Sequence, residues 1–105
     1  MATRTKAHIR FYPAELELLS VLQSGQADPV YGVVSRAVAA QRRVGDYSIP
    51  ISKTEARAVE RTLRECAGGA HECDARQQNL ARNSADRVRT LVLWEDLKRR
   101  HGRGR

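Results

Sequence analysis

Near the N-terminus, side chains that can carry positive charge occupy every second position. They are Lys6, His8 and Arg10, and the positions between them are apolar. Because successive side chains of a β-strand point to opposite faces, residues 6–11 are predicted to form a strand with one apolar and one polar face. Lysine and arginine donate hydrogen bonds to phosphates and base edges, and imidazole donates or accepts according to its tautomer. The polar face is therefore a candidate polyanion-binding surface, although a solvated strand face would show the same alternation.

Positive charge is concentrated at the two ends of the chain. The formal net charge is +7, yet residues 13–97 hold 11 basic and 12 acidic residues. Residues 1–12 and 98–105 hold three and five basic residues respectively, and neither segment has an acid. Basic ends on a nearly neutral body favour a polyanionic partner, most commonly nucleic acid. The candidate contacts at these ends are Arg4, Arg99, Arg100, Arg103 and Arg105.

The first strand leads into two predicted helices. Pro13 stands where a first helical residue is favoured, and the leucines that follow it give the helix a broad apolar surface. Gly25 is a natural helix stop, and Asp28 followed by Pro29 is typical of an N-cap and a first turn. Residues 30–40 are ambiguous, because their valines favour a strand whereas the later alanines favour a helix.

A second strand and a third helix are predicted in the middle of the chain. Residues 47–52 alternate between apolar and polar, and Pro50 restricts that strand to a sheet edge. Ser52 and Glu55 have the spacing of a capping box, in which each residue's side chain bonds to the other's backbone amide. A helix is therefore predicted from this box to about Cys66.

The last part of the chain has a helical pattern over residues 74–100. It is predicted to be one long helix, or two with a break near residues 83–84. Its apolar side chains cover more than one stripe, which favours packing on two sides, against the domain and against a second subunit. The expected buried residues are Leu80, Val88, Leu91, Val92 and Trp94.

A weak internal repeat relates residues that lie forty positions apart. The matched pairs are Ile9 with Ile49, Phe11 with Ile51, Glu15 with Glu55, and Leu19 with Val59. Each unit would consist of a strand, a helix, a glycine stop and a second helix. Short strand–helix units share such patterns for physical reasons, so the repeat is a hypothesis at this point.

Length predicts one domain over residues 1–105, and the strands and helices predicted above make it mostly helical and of the α+β class. It would contain two short strands and three to four helices, and residues 1–4 and 101–105 are expected to be disordered basic ends. No apolar run reaches the length of a membrane span, and the first residues lack the apolar stretch of a signal peptide. We therefore expect a cytoplasmic protein that has no membrane partner.

The two cysteines, Cys66 and Cys73, flank His71 in a pattern that could supply three metal ligands. Zinc sites usually use closer cysteine pairs and a fourth ligand, so no metal and no cofactor are expected. A disulfide across this short loop is geometrically possible, but a cytosolic compartment would keep it reduced, so two partly buried thiols are the expected state. None of the common catalytic motifs for nucleotide binding, nucleophilic hydrolysis or metal-dependent proteolysis is present, and the three histidines are scattered. We do not expect an enzyme.

The N-terminal part of the chain, residues 4–43, resembles the ribbon–helix–helix DNA-binding family. The resemblance rests on the strand KAHIRF, the helix that starts at PAEL, Gly25, and the second helix from Pro29. It implies a homodimer in which strands from two subunits form a ribbon that enters the major groove. Lys6, His8 and Arg10 would then contact bases, and the start of the second helix would hold a phosphate.

Two features set limits on this resemblance. Asp28 places negative charge where the phosphate would lie, and residues 44–105 fall outside a minimal unit of the family. If the internal repeat is real, the second strand could pair with the first inside one chain. The outward residues of that second strand, Ser48, Pro50 and Ser52, would then offer few base contacts.

The preferred functional hypothesis is a small regulator that binds duplex DNA through its basic strand face and its basic ends. The alternative is a small module that regulates or inhibits a larger protein partner through its helical surface, chiefly that of the long last helix. The state of residues 30–40 separates the two hypotheses, because a helix there favours DNA binding and a strand favours the protein-binding module.

Overall fold

The computed structural model describes the backbone of residues 7–103 and the side chains of residues 8–92. In chain order, its elements are β1 (Ala7–Arg10), α1 (Pro13–Leu22), α2 (Pro29–Val44), β2 (Ser48–Ile51), α3 (Lys53–Ala67), a short 3-10 turn (Ala70–Glu72) and α4 (Ala75–Arg103). The predicted mostly helical α+β class is confirmed. Residues 30–40 are helical, and α4 is continuous through residues 83–84. Within the described part of the chain, no helix is both long and apolar enough to cross a membrane.

The helices begin where local chemistry satisfies their first amides. The Asp28 carboxylate accepts a hydrogen bond from the Val30 amide at 3.0 Å, which caps α2. At the start of α3, the Ser52 hydroxyl accepts from the Glu55 amide at 3.1 Å, and the Glu55 carboxylate accepts from the Ser52 amide at 2.9 Å. The predicted capping box is therefore confirmed. Glu15 accepts in the same way from the Tyr12 amide at 2.9 Å.

The capping carboxylate of α3 makes stability depend on pH. Burial opposes ionisation of Glu55, but hydrogen bonds from Arg36 and Ser52 outweigh it and lower the pKa of Glu55. A carboxyl group with a lowered folded-state pKa stabilises the fold above its unfolded pKa, about 4.5, and that stabilisation is lost as pH falls through the folded pKa. We expect the urea midpoint to fall between pH 6 and pH 3, and to fall less in Glu55→Gln. Equal pH dependence of the two proteins would contradict this account.

The strands β1 and β2 form a two-stranded antiparallel ribbon within one chain. The pairs are Ala7 with Ile51, His8 with Pro50, Ile9 with Ile49, and Arg10 with Ser48. The resemblance implied a ribbon built from two subunits, whereas here β2 supplies the second strand. The inward face of the ribbon is apolar, because Ile9, Ile49 and Ile51 are buried.

The core lies between this inward face and the four helices. Phe11, Leu19, Val59 and Leu63 are fully buried at its centre. Leu16, Leu22, Val30, Val33 and Val88 extend the same cluster. Aliphatic burial of this kind is the main favourable term for a domain with few aromatic residues.

The chain consists of two structural repeats, residues 7–44 and residues 48–103. Ile9 pairs with Ile49, the residue forty positions later, at the centre of the ribbon. The same offset relates α1 to α3, since Leu16, Leu18 and Leu19 are buried and so are Ala56, Ala58 and Val59. The second helices match at an offset of 51, where Val30, Val33 and Ala37 correspond to the buried Ala81, Ser84 and Val88. The internal repeat is thus present in the structure.

Two arginines join the repeats by reciprocal contacts. Arg36 of α2 donates to the Pro50 carbonyl at 3.2 Å and to both Glu55 carboxylate oxygens at 2.9 and 3.0 Å. Arg87 of α4 donates to the Arg10 carbonyl at 2.6 Å and to the Glu15 carboxylate. Each arginine thus contacts the strand and the capping glutamate of the other repeat. These reciprocal contacts are equivalent in the two repeats, as is the pairing of Ile9 with Ile49.

The α3–α4 connection is closed by a disulfide between Cys66 and Cys73, whose Cα atoms are 5.9 Å apart. Gly68 caps the end of α3, and the next residue, Gly69, has a φ of 99° in the left-handed region and begins the 3-10 turn. The expectation of two reduced thiols was wrong, because this turn brings Cys66 and Cys73, seven positions apart, close enough to form the bond.

Candidate nucleic-acid interface

The outer surface of the ribbon is the face opposite the core. We call it the ribbon face and define it by His8 and Arg10 of β1 and by Ser48 and Pro50 of β2. His8, Arg10 and Pro50 are exposed, and Ser48 is half-buried. His8 lies directly opposite Pro50, and Arg10 lies opposite Ser48. The predicted separation of an apolar inward face from a polar outward face is therefore confirmed for residues 8–11.

The ribbon face is chemically asymmetric. Under the repeat, Ser48 corresponds to His8, and Pro50 corresponds to Arg10. β1 presents an imidazole and a guanidinium. On β2, Pro50 has no N–H to donate, and Ser48 offers only its hydroxyl because its amide is bonded to the Asp46 carboxylate at 3.1 Å. The strong hydrogen-bond donors of the face therefore belong to β1.

Arg10 has an acidic neighbour. Its Nε lies 3.7 Å from the Asp46 carboxylate, and the two side chains are 66% and 48% exposed. Ion pairs this exposed contribute little, because water screens them and ordering two side chains costs entropy. The guanidinium therefore remains available to an external acceptor.

Carboxylates cap the starts of both second helices. Asp28 accepts hydrogen bonds from the Val30 amide and from the Ser24 amide and hydroxyl. Slight burial opposes ionisation, but these hydrogen bonds outweigh it and lower the pKa of Asp28. Asp74 accepts from the Gln77 amide at 2.8 Å in front of α4. A phosphate at the start of α2, as the resemblance implied, would meet an ionised carboxylate and an amide that is already bonded.

The remaining predicted contacts lie at or beyond the limits of the described part. Arg99, Arg100 and Arg103 belong to α4, whose backbone continues to Arg103 and so includes part of the segment expected to be disordered. Their side chains lie outside the described residues. Arg4, Lys6 and Arg105 also lie outside the described residues.

The cysteine and histidine pattern forms a different structure from the ligand set considered above. Cys66 and Cys73 are bonded to each other, and His71 lies 3.2 Å from the Glu65 carboxylate. Among the side chains of residues 8–92, no group of three histidine, cysteine or acidic residues could hold a metal ion.

The sequence did not indicate the contacts that α4 makes with β1 and with the start of α1, on the side opposite the ribbon face. Glu15 is 4% exposed and accepts hydrogen bonds from Arg87 and from the Ser84 hydroxyl, the latter at 2.5 Å. Glu15 was visible as a repeat match to Glu55. Its partner Arg87 could not be identified from the sequence, because the second helices match at an offset of 51 whereas the first helices match at an offset of forty.

In the described part of the chain, the ribbon thus exposes an imidazole and a guanidinium of β1 on its outer face. Two arginine–glutamate contacts link its strands to the helices. Comparison of the chain with models of known protein families, with curated proteins and with solved structures found no significant match.

Proposed function

We propose that this protein is a small cytoplasmic regulator that binds duplex DNA by laying the ribbon face in the major groove. The observation that carries the proposal is the antiparallel ribbon itself, with His8 and Arg10 exposed on its outer side and its inner side buried. A two-stranded ribbon fits the major groove, where arginine donates to guanine and imidazole donates or accepts. The helical state of residues 30–40, the feature chosen to separate the hypotheses, also favours DNA binding.

One chain supplies both strands, so one copy is enough to present the ribbon to a DNA site. The resemblance needed a homodimer to provide the second strand, and β2 provides it here. The second subunit expected against the apolar surface of the last helix is a separate prediction. Because β1 and β2 present different side chains, the two halves of the site would be contacted differently. The preferred DNA site is therefore non-palindromic, and most of its specificity lies in the half that contacts β1.

The basic C-terminal residues have a separate role in this proposal. Arg99, Arg100, Arg103 and Arg105 would contact phosphates, which adds affinity that depends on salt but not on DNA sequence. Replacing all four with glutamine would lower affinity for every duplex and reduce the slope of log affinity against log salt.

The test is fluorescence anisotropy, first with mixed-sequence duplex at several salt concentrations and then with a duplex selected by the protein from a random pool. We expect His8→Ala/Arg10→Ala to weaken binding to the selected duplex by at least about 30-fold, because two good base contacts contribute roughly 1–3 kcal/mol each. The variant keeps the backbone carbonyl of residue 10 that Arg87 contacts, so the fold should persist, as circular dichroism would check.

The repeat offers a matched control. Ser48→Ala/Pro50→Ala changes the two equivalent positions on β2, and we expect it to alter affinity less than about threefold. No binding at low salt would refute the DNA proposal. An equal loss in both double variants would contradict the asymmetric contact while leaving DNA binding intact.

A further inference from the structure

A groove of about 550 Å³ lies between α1 and α2, on a surface separate from the ribbon face. Its lining includes Ser20 of α1, the α1 C-cap residue Gln23, and Tyr31, Val34, Val38 and Arg42 of α2. Val34 and Val38 are only partly buried, and Tyr31 is 36% exposed. An apolar strip along a helix is thus left open to solvent.

In the second repeat, charged side chains occupy the equivalent place. Ser20, Ser24 and Ser35 of the first repeat correspond to Glu60, Arg64 and Asp86 of the second. Arg64 contacts Glu60 at 3.3 Å and Asp86 at 2.9 Å, which ties α3 to α4 across the position that is open between α1 and α2. The equivalent of Val38 is Arg89, an exposed cation rather than an apolar side chain.

Helix length contributes to the difference. α1 has 10 residues and α3 has 15. α3 therefore continues along α4 past the position equivalent to the end of α1. Leu63, on that extension, is fully buried. A longer first helix and larger side chains can therefore fill this position in the same fold. The groove of the first repeat results from its shorter helix and its smaller side chains.

The lining indicates the chemistry of an occupant. Arg42 and Arg43 lie at one end, valines occupy the middle, and none of the lining residues is acidic. The α2 residues involved span 31–43, about 18 Å of helix, which matches a partner helix of roughly 12 residues. We propose that this groove docks an amphipathic helix of a partner protein, with its apolar stripe on Val34 and Val38 and its acidic side chains on Arg42 and Arg43.

This site differs from the helical surface that the sequence indicated, since it lies on α2 and not on α4. It uses no residue of the ribbon face, so its test is independent of DNA binding. Two arginines favour acidic residues over basic ones, and desolvated apolar contacts supply most of the affinity.

The probes are two synthetic, labelled 14-residue peptides with leucines at helical spacing. One carries glutamate at its polar positions and the other carries lysine. Titration with the full chain at physiological salt is followed by anisotropy, and amide shifts of the isotope-labelled protein locate the contact. We expect the glutamate peptide to bind at least tenfold more tightly than the lysine peptide, with shifts concentrated at residues 31–43.

Two variants and one control sharpen the result. Val38→Arg introduces the side chain that the second repeat already holds at the equivalent exposed position, so it should fold and lose binding at least tenfold. Arg42→Glu/Arg43→Glu should reverse the preference between the peptides. Arg89→Ala, the matched control on α4, should change nothing.

Three outcomes would overturn the proposal. These are equal binding of both peptides, shifts that fall on the α3–α4 surface, and displacement of the glutamate peptide by a second copy of the chain. The last would appear as self-association in sedimentation that Val38→Arg abolishes.

Discussion

Glu15→Ala is expected to lower the free energy of unfolding by about 3 kcal/mol, because it removes a buried charge from a network whose other members stay in place. Glu15 accepts hydrogen bonds from Arg87, Ser84 and the Tyr12 amide. In the variant, Ser84 and the Tyr12 amide lose this acceptor, and Arg87 keeps only the Arg10 carbonyl. Arg87 also lies over the Tyr12 ring, 5.1 Å from its centroid, so the change would loosen the approach of α4 to the start of α1.

The matched control is Glu55→Ala at the equivalent position of the second repeat. The Glu55 side chain is 24% exposed, against 5% for Glu15. Water can replace part of what Glu55 loses, so we expect about 1 kcal/mol, close to the usual value of a helix cap. Urea unfolding of both variants measures the difference. Equal losses of unfolding free energy in the two variants would show that the deeper burial of Glu15 does not increase its contribution to stability.

Breaking the Cys66–Cys73 disulfide is expected to lower the free energy of unfolding by about 2.5 kcal/mol. A cross-link limits the unfolded chain, and a loop closed between residues seven positions apart gives roughly this value in the chain-entropy account. The cross-link also joins the end of α3 to the residues that lead into α4. Reduction leaves both sulfurs in place, so the change in stability reports the bond and not a cavity.

The measurement is urea unfolding with and without a phosphine reductant, with thiol titration to verify reduction. The double variant Cys66→Ala/Cys73→Ala is the control, and its midpoint should not respond to the reductant. An unchanged midpoint of the fully reduced wild-type protein would contradict the expected stabilisation. In a reducing cytoplasm, which our functional proposal implies, the domain would have the lower stability of the dithiol form.

Most of the fold was predictable because local chemistry decides it. Pro13, Asp28 and the Ser52–Glu55 box mark helix starts through bonds within four residues, and the structure has a helix at each. Residues 30–40 were ambiguous because valine fits either a strand or a helix, and tertiary burial of Val30 and Val33 decided for the helix.

The candidate site was predictable only in part. Alternation in residues 6–11 identified the exposed positions of β1, since a strand has a fixed period of two. It could not show that the second strand comes from the same chain, because pairing depends on residues forty positions apart. The disulfide was set aside because a cytosolic compartment was expected to keep both thiols reduced, although the short loop allowed the bond. The α1–α2 groove was missed because it depends on how two helices pack against each other.

Because β1 and β2 belong to one chain, formation of the ribbon does not depend on the concentration of the protein. Two subunits that share a ribbon must meet before either can present it, so occupancy of a DNA site falls steeply on dilution. A single chain folds in a first-order step and presents a complete ribbon at any concentration. In the proposed DNA contact, a substitution in β1 would alter one half of the contact alone, so the two halves could evolve different preferences by single mutations.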